Sequence, residues 1–187
     1  MRSSRAGSAA EPSPADRIAA AYGLVPLPVE GGRFRRTWAG PADADGRPAG
    51  SVILALLTSA PGDFSAMHRL PVDEVWHFYR GDPLEVLLLG PDGAGRCVVL
   101  GGPAEAPAVQ LVVPAGTWMG ARVAPGGTWS LFGTSMAPGF TPAFYQGGRA
   151  EELALRYPRH APLVRALCRP DAPTTMPVGP ADGGVDG

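Results

Sequence analysis

Lysine and asparagine are absent from this 187-residue chain, so all 16 of its basic residues are arginines. That bias reflects a GC-rich genome and says little about function. Charge is scarce too: charged residues make up 18%, and their signs nearly cancel to a formal net charge of -1. With no basic stripe to displace phosphate counterions or settle on anionic lipid, nucleic acid and membrane are excluded as expected partners. Cysteine is nearly missing. The 2 present, Cys97 in an expected strand and Cys168 in an expected helix, lie far apart and lack the CxxC spacing of a metal or redox pair. Both are expected to be buried or idle thiols in a reducing compartment. No apolar run approaches the roughly 20 residues needed to span a bilayer. The N-terminal arginines are followed by no apolar signal-peptide core, which makes a cytoplasmic protein the expectation.

What the chain has in abundance is punctuation. With 26 Gly and 22 Pro, its apolar runs are cut to strand length, and a 45% hydrophobic fraction still suffices for one sizeable core. Short β-rich runs occur at Arg33–Trp38, Ser51–Thr58, Glu74–Tyr79, Leu84–Leu89, Arg96–Leu100, Val109–Val113, Met119–Val123 and Trp129–Met136. Their near-regular spacing predicts a closed all-β barrel or jelly roll. Pro91-Asp92-Gly93 predicts a hairpin turn between two of them, because Gly accepts the positive φ that closes it. Ser13, Pro14 and Asp16 start a short helix with an apolar face of Ile18, Ala19 and Tyr22, and Gly23 stops it. Helical patterns return around Leu153 and Leu155 and around Leu163, Val164 and Leu167, and are expected to cover an open barrel edge. Residues 1–12 and 170–187 are too polar and too rich in Gly and Pro to order themselves, which leaves one domain over 13–169.

The segment from Phe64 to Gly81 holds His68 and His77, 2 of the chain's 3 histidines, with the acidic pair Asp73 and Glu74. Glu74 in an apolar strand must find a partner or take up a proton. If it faces the barrel lumen, period-two alternation puts Trp76 and Phe78 beside it and turns Val75, His77 and Tyr79 outward. His68 reads either as a rim histidine bonded to a carbonyl or as a base or ligand, and its position favours the second. Asp73 is expected to cap a turn or pair with Arg69, with orientation of His68 the lesser option. Glu30, before the Gly31-Gly32 turn, is a candidate for the mouth of a pocket. Trp76, Phe78, Trp118, Trp38 and Met119 are either plain core or the apolar wall of that pocket. His160, beside Arg159, is expected to be solvated.

His68, Glu74 and Gly81 keep the spacing of the first cupin motif, with Leu70 where a second histidine belongs. Pro114-Ala115-Gly116-Thr117-Trp118 resembles the opening of the second cupin motif, and Met119 replaces its histidine. Further landmarks are Glu30-Gly31-Gly32-Arg33-Phe34, Ser65-Ala66-Met67-His68-Arg69-Leu70, Ala137-Pro138-Gly139-Phe140, Glu151-Glu152-Leu153 and Arg156-Tyr157-Pro158. Taken in order from about Tyr22 to Tyr157, these resemble the cupin-5 group, a domain of unknown function. The resemblance implies a cupin jelly-roll β-barrel with short flanking helices, a homodimer, and a fold similar to that of sugar-nucleotide epimerases. Function follows from such a resemblance only by analogy.

The leading expectation is a metal-independent enzyme of small-molecule chemistry, of the isomerase, epimerase, cyclase or lyase type and placed by analogy in secondary metabolism. His68 and Glu74 would exchange protons, and Trp76, Phe78, Trp118, Met119, Glu30 and Trp38 would hold the substrate. One alternative is an oxygenase or lyase with Fe, Mn, Ni or Zn on His68, Glu74 and His77, although His77 points the wrong way and Met119 is a soft, neutral donor. Another is a non-catalytic small-molecule binding module.

Overall fold

A computed structural model describes residues 11–102 and 108–177. Residues 1–10, most of the N-terminal segment expected to be disordered, and the tail beyond 177 lie outside the described residues. Helix α1 (Pro14–Tyr22) begins where expected: the Ser13 hydroxyl accepts from the Asp16 N–H, and Gly23 closes the helix in the left-handed region at φ 62. It buries Ala15 and Ala19 against Leu56 and Leu131, whereas Tyr22, expected on the packed face, is 41% exposed.

The strands are β1 (Val25–Pro26), β2 (Arg33–Ala39), β3 (Ser51–Thr58), β4 (Ser65–Arg69), β5 (Glu74–Gly81), β6 (Leu84–Leu89), β7 (Gly95–Leu100), β8 (Gln110–Val113), β9 (Trp118–Val123), β10 (Trp129–Met136) and β11 (Gln146–Gly147). They form a six-stranded sheet in the order β1-β2-β3-β10-β5-β8 and a five-stranded sheet in the order β11-β4-β9-β6-β7. The strand pairs are antiparallel, and the two sheets face each other as the jelly roll that the sequence implies. The core between them holds Trp76, Leu84, Val86, Leu88, Met119 and Phe132. The Pro91-Asp92-Gly93 turn joins β6 to β7, with the Gly93 N–H donating to the Gly90 carbonyl and the Asp92 carboxylate accepting from Ala94.

Beyond Glu85, which pairs with Arg122, strand β6 has no polar alternation because it is covered twice. Its Leu84, Val86 and Leu88 face the barrel core, and Leu87 and Leu89 face α2 (Ala150–Arg156) and α3 (Ala161–Ala166). The C-terminal helices thus cover a sheet face and not the open edge that was expected. They stop short of edge strand β7, so Cys97, cross-strand from Leu87, is exposed, and of the two expected thiols only Cys168 is a buried one. Cys168 is buried just beyond the end of α3. The chain expected to run free after Pro170 follows the barrel: the Gly147 N–H donates to the Thr174 carbonyl at 2.7 Å. Among the described residues no helix is long and apolar enough to cross a membrane.

Candidate functional site

His68 stands inside β4, opposite Met119 of β9 and Gly147 of β11, and is 2% exposed. Its Nδ1 lies 2.7 Å from the Ala66 carbonyl oxygen. A carbonyl only accepts, so Nδ1 carries the hydrogen, and in its neutral form the ring has its lone pair on Nε2. Tyr145 stacks on the imidazole with centroids 5.3 Å apart and planes 16° from parallel. Burial first, and then the charge of Glu30, push the Tyr145 phenol up, so it stays neutral.

Glu74 opens β5 and is 6% exposed. The Trp76 indole N–H donates to its Oε2 at 2.9 Å, and Thr134 of β10 adds a side-chain hydrogen bond. Burial raises its pKa above the usual carboxylate range. The charge of Glu30 adds to the rise, while His68 and the two hydrogen bonds oppose it. The result is a carboxyl group that holds its proton more tightly than an exposed one.

Glu30 belongs to a turn in which the Leu27 N–H donates to the Gly32 carbonyl and Gly31 sits at φ 101. A Cβ at Gly31 would run into the Arg169 guanidinium and the Phe64 carbonyl, so the turn requires glycine there. The Ser65 hydroxyl donates to Glu30 Oε1 at 2.8 Å, and Ala66 donates its N–H to the Glu30 carbonyl at 2.9 Å. Glu30 Oε2 then lies 3.9 Å from His68 Nε2, too far for a hydrogen bond between the two. Arg169 braces the same turn, donating to the carbonyls of Val29, Glu30, Gly62 and Phe64 while its guanidinium lies 4.1 Å above the Phe64 ring.

Glu30, Ser65, His68, Glu74 and Thr134 line one cavity of about 70 Å³, measured as the space open to water-molecule centres. Its apolar walls include Phe34, Ile53, Leu57, Phe132, Met136 and Phe140. The structure therefore brings His68, Glu74 and Glu30 together.

The expected apolar wall is elsewhere. Trp76 is 1% exposed and stacks on Phe132 at 5.1 Å, filling the barrel interior with Met119. Phe78 packs at the next inward position of β5, against Gly101. Trp118 faces the C-terminal helices under the Arg69 guanidinium, and Trp38 is 50% exposed on β2. None of these five is among the described cavity-lining residues. A barrel this narrow fills most of its length with its own side chains, which confines the hollow to one end. Asp73 accepts from the Ala115 N–H at 2.8 Å, the turn cap anticipated for it.

Sequence reasoning missed Ser65, Thr134, Tyr145, Arg169 and Met176. Thr134 was within reach, since it alternates with the inward Phe132 and Met136 along β10.

His77, the third donor of the metal-bearing alternative, lies on the outer face of β5. Its Nε2 meets the Ser135 hydroxyl at 2.8 Å, and its Nδ1 accepts from Gln110 at 3.1 Å. The three donors His68, Glu74 and His77 do not converge. Among the described residues no group of three His, Cys, Asp or Glu side chains is placed to hold an ion. His68, Glu74 and His77 therefore do not form one metal site.

The family described as Cupin_5, Cupin superfamily (DUF985), matches residues 16–146. Among solved structures, a protein of Shewanella oneidensis is 32% identical with a TM-score of 0.76, over 84% of this chain and 98% of that one. A hypothetical protein of Leishmania major is 26% identical with a TM-score of 0.73, over 83% of this chain and 99% of that one. A cupin 2 domain-containing protein of Halorhodospira halophila, 16% identical at a TM-score of 0.50 over 78% and 88%, shares the fold. No curated protein matches the chain.

Proposed function

The chain belongs to the Cupin_5 family of the cupin superfamily, and from the cavity in its barrel we propose a metal-independent enzyme of the isomerase or lyase type that moves a proton next to a carbonyl group. The observation that carries this reading is the pairing of opposite proton habits in one hollow. His68 is held by the Ala66 carbonyl with Nε2 as the nitrogen left to accept, and burial makes the Glu74 carboxyl hold its proton more tightly than an exposed one.

With a carbonyl compound bound, Nε2 takes a proton from the carbon beside the carbonyl while the Glu74 carboxyl gives its proton to the carbonyl oxygen. The C–H pair becomes the new C=C bond, the C=O bond becomes C–OH, and a neutral enol results. His68 then returns its proton to the carbon, on the opposite face once the enol has turned over, or to a neighbouring atom. The enol O–H proton passes back to Glu74 and the C=O bond re-forms, which completes an epimerisation or isomerisation. Alternatively the C–X bond at the adjacent carbon breaks as a new C=C bond forms to it and C=O is restored. The leaving group takes its bonding pair and the His68 proton, and the enol O–H proton passes back to Glu74, which completes an elimination. The apolar walls keep water from solvating the carboxyl and the imidazole. Glu30, with Oε2 3.9 Å from Nε2, stabilises the imidazolium formed midway.

The test follows 2-alkanones dissolved in D2O with the full chain, reading deuterium at the carbon beside the carbonyl by mass spectrometry. Protein-dependent uptake is expected, and a fall of at least about 100-fold in His68→Gln and in Glu74→Gln. Uptake no faster than in buffer, or equal in the variants, would leave a binding module as the better reading.

A further inference from the structure

We infer that the cavity takes a small uncharged molecule, mostly hydrocarbon with one polar end, and that Met176, from beyond the barrel, sets how long that molecule can be. The nature of the polar end rests on the acid–base reading above; the rest stands on the geometry alone.

Most polar groups of the cavity form one cluster; Ser51 stands apart from it, with its hydroxyl accepting from the Phe140 N–H. Ser65 is bonded to Glu30, Glu30 lies 3.9 Å from His68, and the electrostatics of Glu74 couple it to both His68 and Glu30. Beyond that cluster the walls offer hydrocarbon: Phe34, Ile53, Leu57, Met136 and Phe140. A sugar ring would leave most of its hydroxyls without partners there, at a cost of the order of 1–3 kcal/mol each.

An anion fares worse. Arg33 lines the cavity, but its guanidinium is turned to Asp16 at 3.1 Å. The Arg169 guanidinium is occupied by the four carbonyls it braces. A phosphate or carboxylate would therefore lose its water, meet the Glu30 carboxylate, and gain no disengaged cation among the described lining residues. The volume of about 70 Å³ is several times the roughly 10–15 Å³ that one water needs, which suits a short chain and not a nucleotide.

One wall residue does not come from the barrel. Met176 lines the cavity and is carried by the segment 171–177, which follows α3 and lies outside the family match at 16–146. That segment is seated closely. The Thr174 carbonyl accepts from Gly147, the residue in register with His68, and a Cβ at Gly147 would come within 3.0 Å of Thr174 Cα. Its N-terminal end is anchored by Arg169 to the turn that carries Glu30. The barrel thus supplies the chemistry, and the C-terminal strap supplies the last wall. An unbranched thioether with rotatable bonds makes that wall adjustable.

The experiment titrates two series into the full chain by calorimetry, 2-butanone to 2-nonanone and the straight-chain carboxylates of matching length, using wild type, Met176→Ala and Met176→Trp. Ketone affinity is expected to climb with length to a cut-off, and carboxylates of equal length to bind at least about tenfold more weakly. Met176→Ala moves the cut-off outward, with a gain of roughly tenfold at the first length wild type rejects, and Met176→Trp moves it inward. Carboxylates binding as tightly as ketones, a cut-off that stays put in all three proteins, or no ketone binding at all would each overturn the inference. A moved cut-off in protein that exchanges no deuterium defeats the acid–base reading alone; exchange with an unmoved cut-off defeats this inference alone.

Discussion

Glu74 is an acid whose proton affinity folding raises. Its carboxyl ionises near 4.5 when exposed, and burial raises that value in the native chain. Between the two values the folded state keeps a proton that the unfolded chain has lost. Its contribution to stability is therefore fully present below 4.5 and is lost as pH rises through the folded value. Glu74→Gln removes the ionisation, so the urea midpoint of the variant should fall less than that of wild type from pH 4.5 upward. Parallel midpoint curves for the two proteins would show that Glu74 is not buried as an acid.

At this scale the sequence was partly legible. A glutamate in an apolar strand, a histidine in a motif and a glutamate before paired glycines each broke the local pattern, and the structure gathers all three in one cavity. Tyr145, Arg169 and Met176 left no such mark, because their partners lie in distant parts of the chain. Alternation gave the inward face of Trp76 and Phe78 but not the depth to which the barrel is filled.

Among the elements, strands rich in branched residues were plain in the sequence; Ser51–Thr58, Leu84–Leu89 and Trp129–Met136 lie where the pattern put them. Strand β4, which carries His68, was not recognised. Ser-Ala-Met-His-Arg has no β-branched residue, and it is extended because β9 and β11 pair with it and the Glu30 turn bonds to Ala66. Tertiary pairing overrode propensity at the functional strand.

Strand β6 shows the converse, a run legible as a strand whose second cover was not. Leu87, 0% exposed beneath α2 and α3, should cost about 2–5 kcal/mol when changed to Ala. Val99 on edge strand β7, 52% exposed, should cost within about 0.5 kcal/mol. Urea denaturation of the two variants compares them, and equal losses would mean that the helices do not seal the β6 face.

For the whole molecule, the two-sheet barrel closes most of its length with its own side chains and leaves a hollow only at the end where β4, β5, β10 and the Glu30 turn meet. Arg169 ties the C-terminal strap to that end, so the far terminus of the fold and the first turn of the barrel share one site. The composition set the expectation of neither nucleic acid nor membrane as partner, and the motif order carried the family. Neither could show that the strap returns, because Pro- and Gly-rich chain reads as unstructured whether or not a barrel lies beneath it.

The central claim is that His68 presents a lone pair on Nε2 to this hollow. Two-bond ¹⁵N–¹H correlation spectra of histidine-labelled protein read it directly, with only 3 histidines to assign and His68→Gln to identify the signal. The account predicts a neutral ring protonated on Nδ1 with an unprotonated Nε2. A ring protonated on Nε2 instead would contradict it, for the cavity would then hold no base.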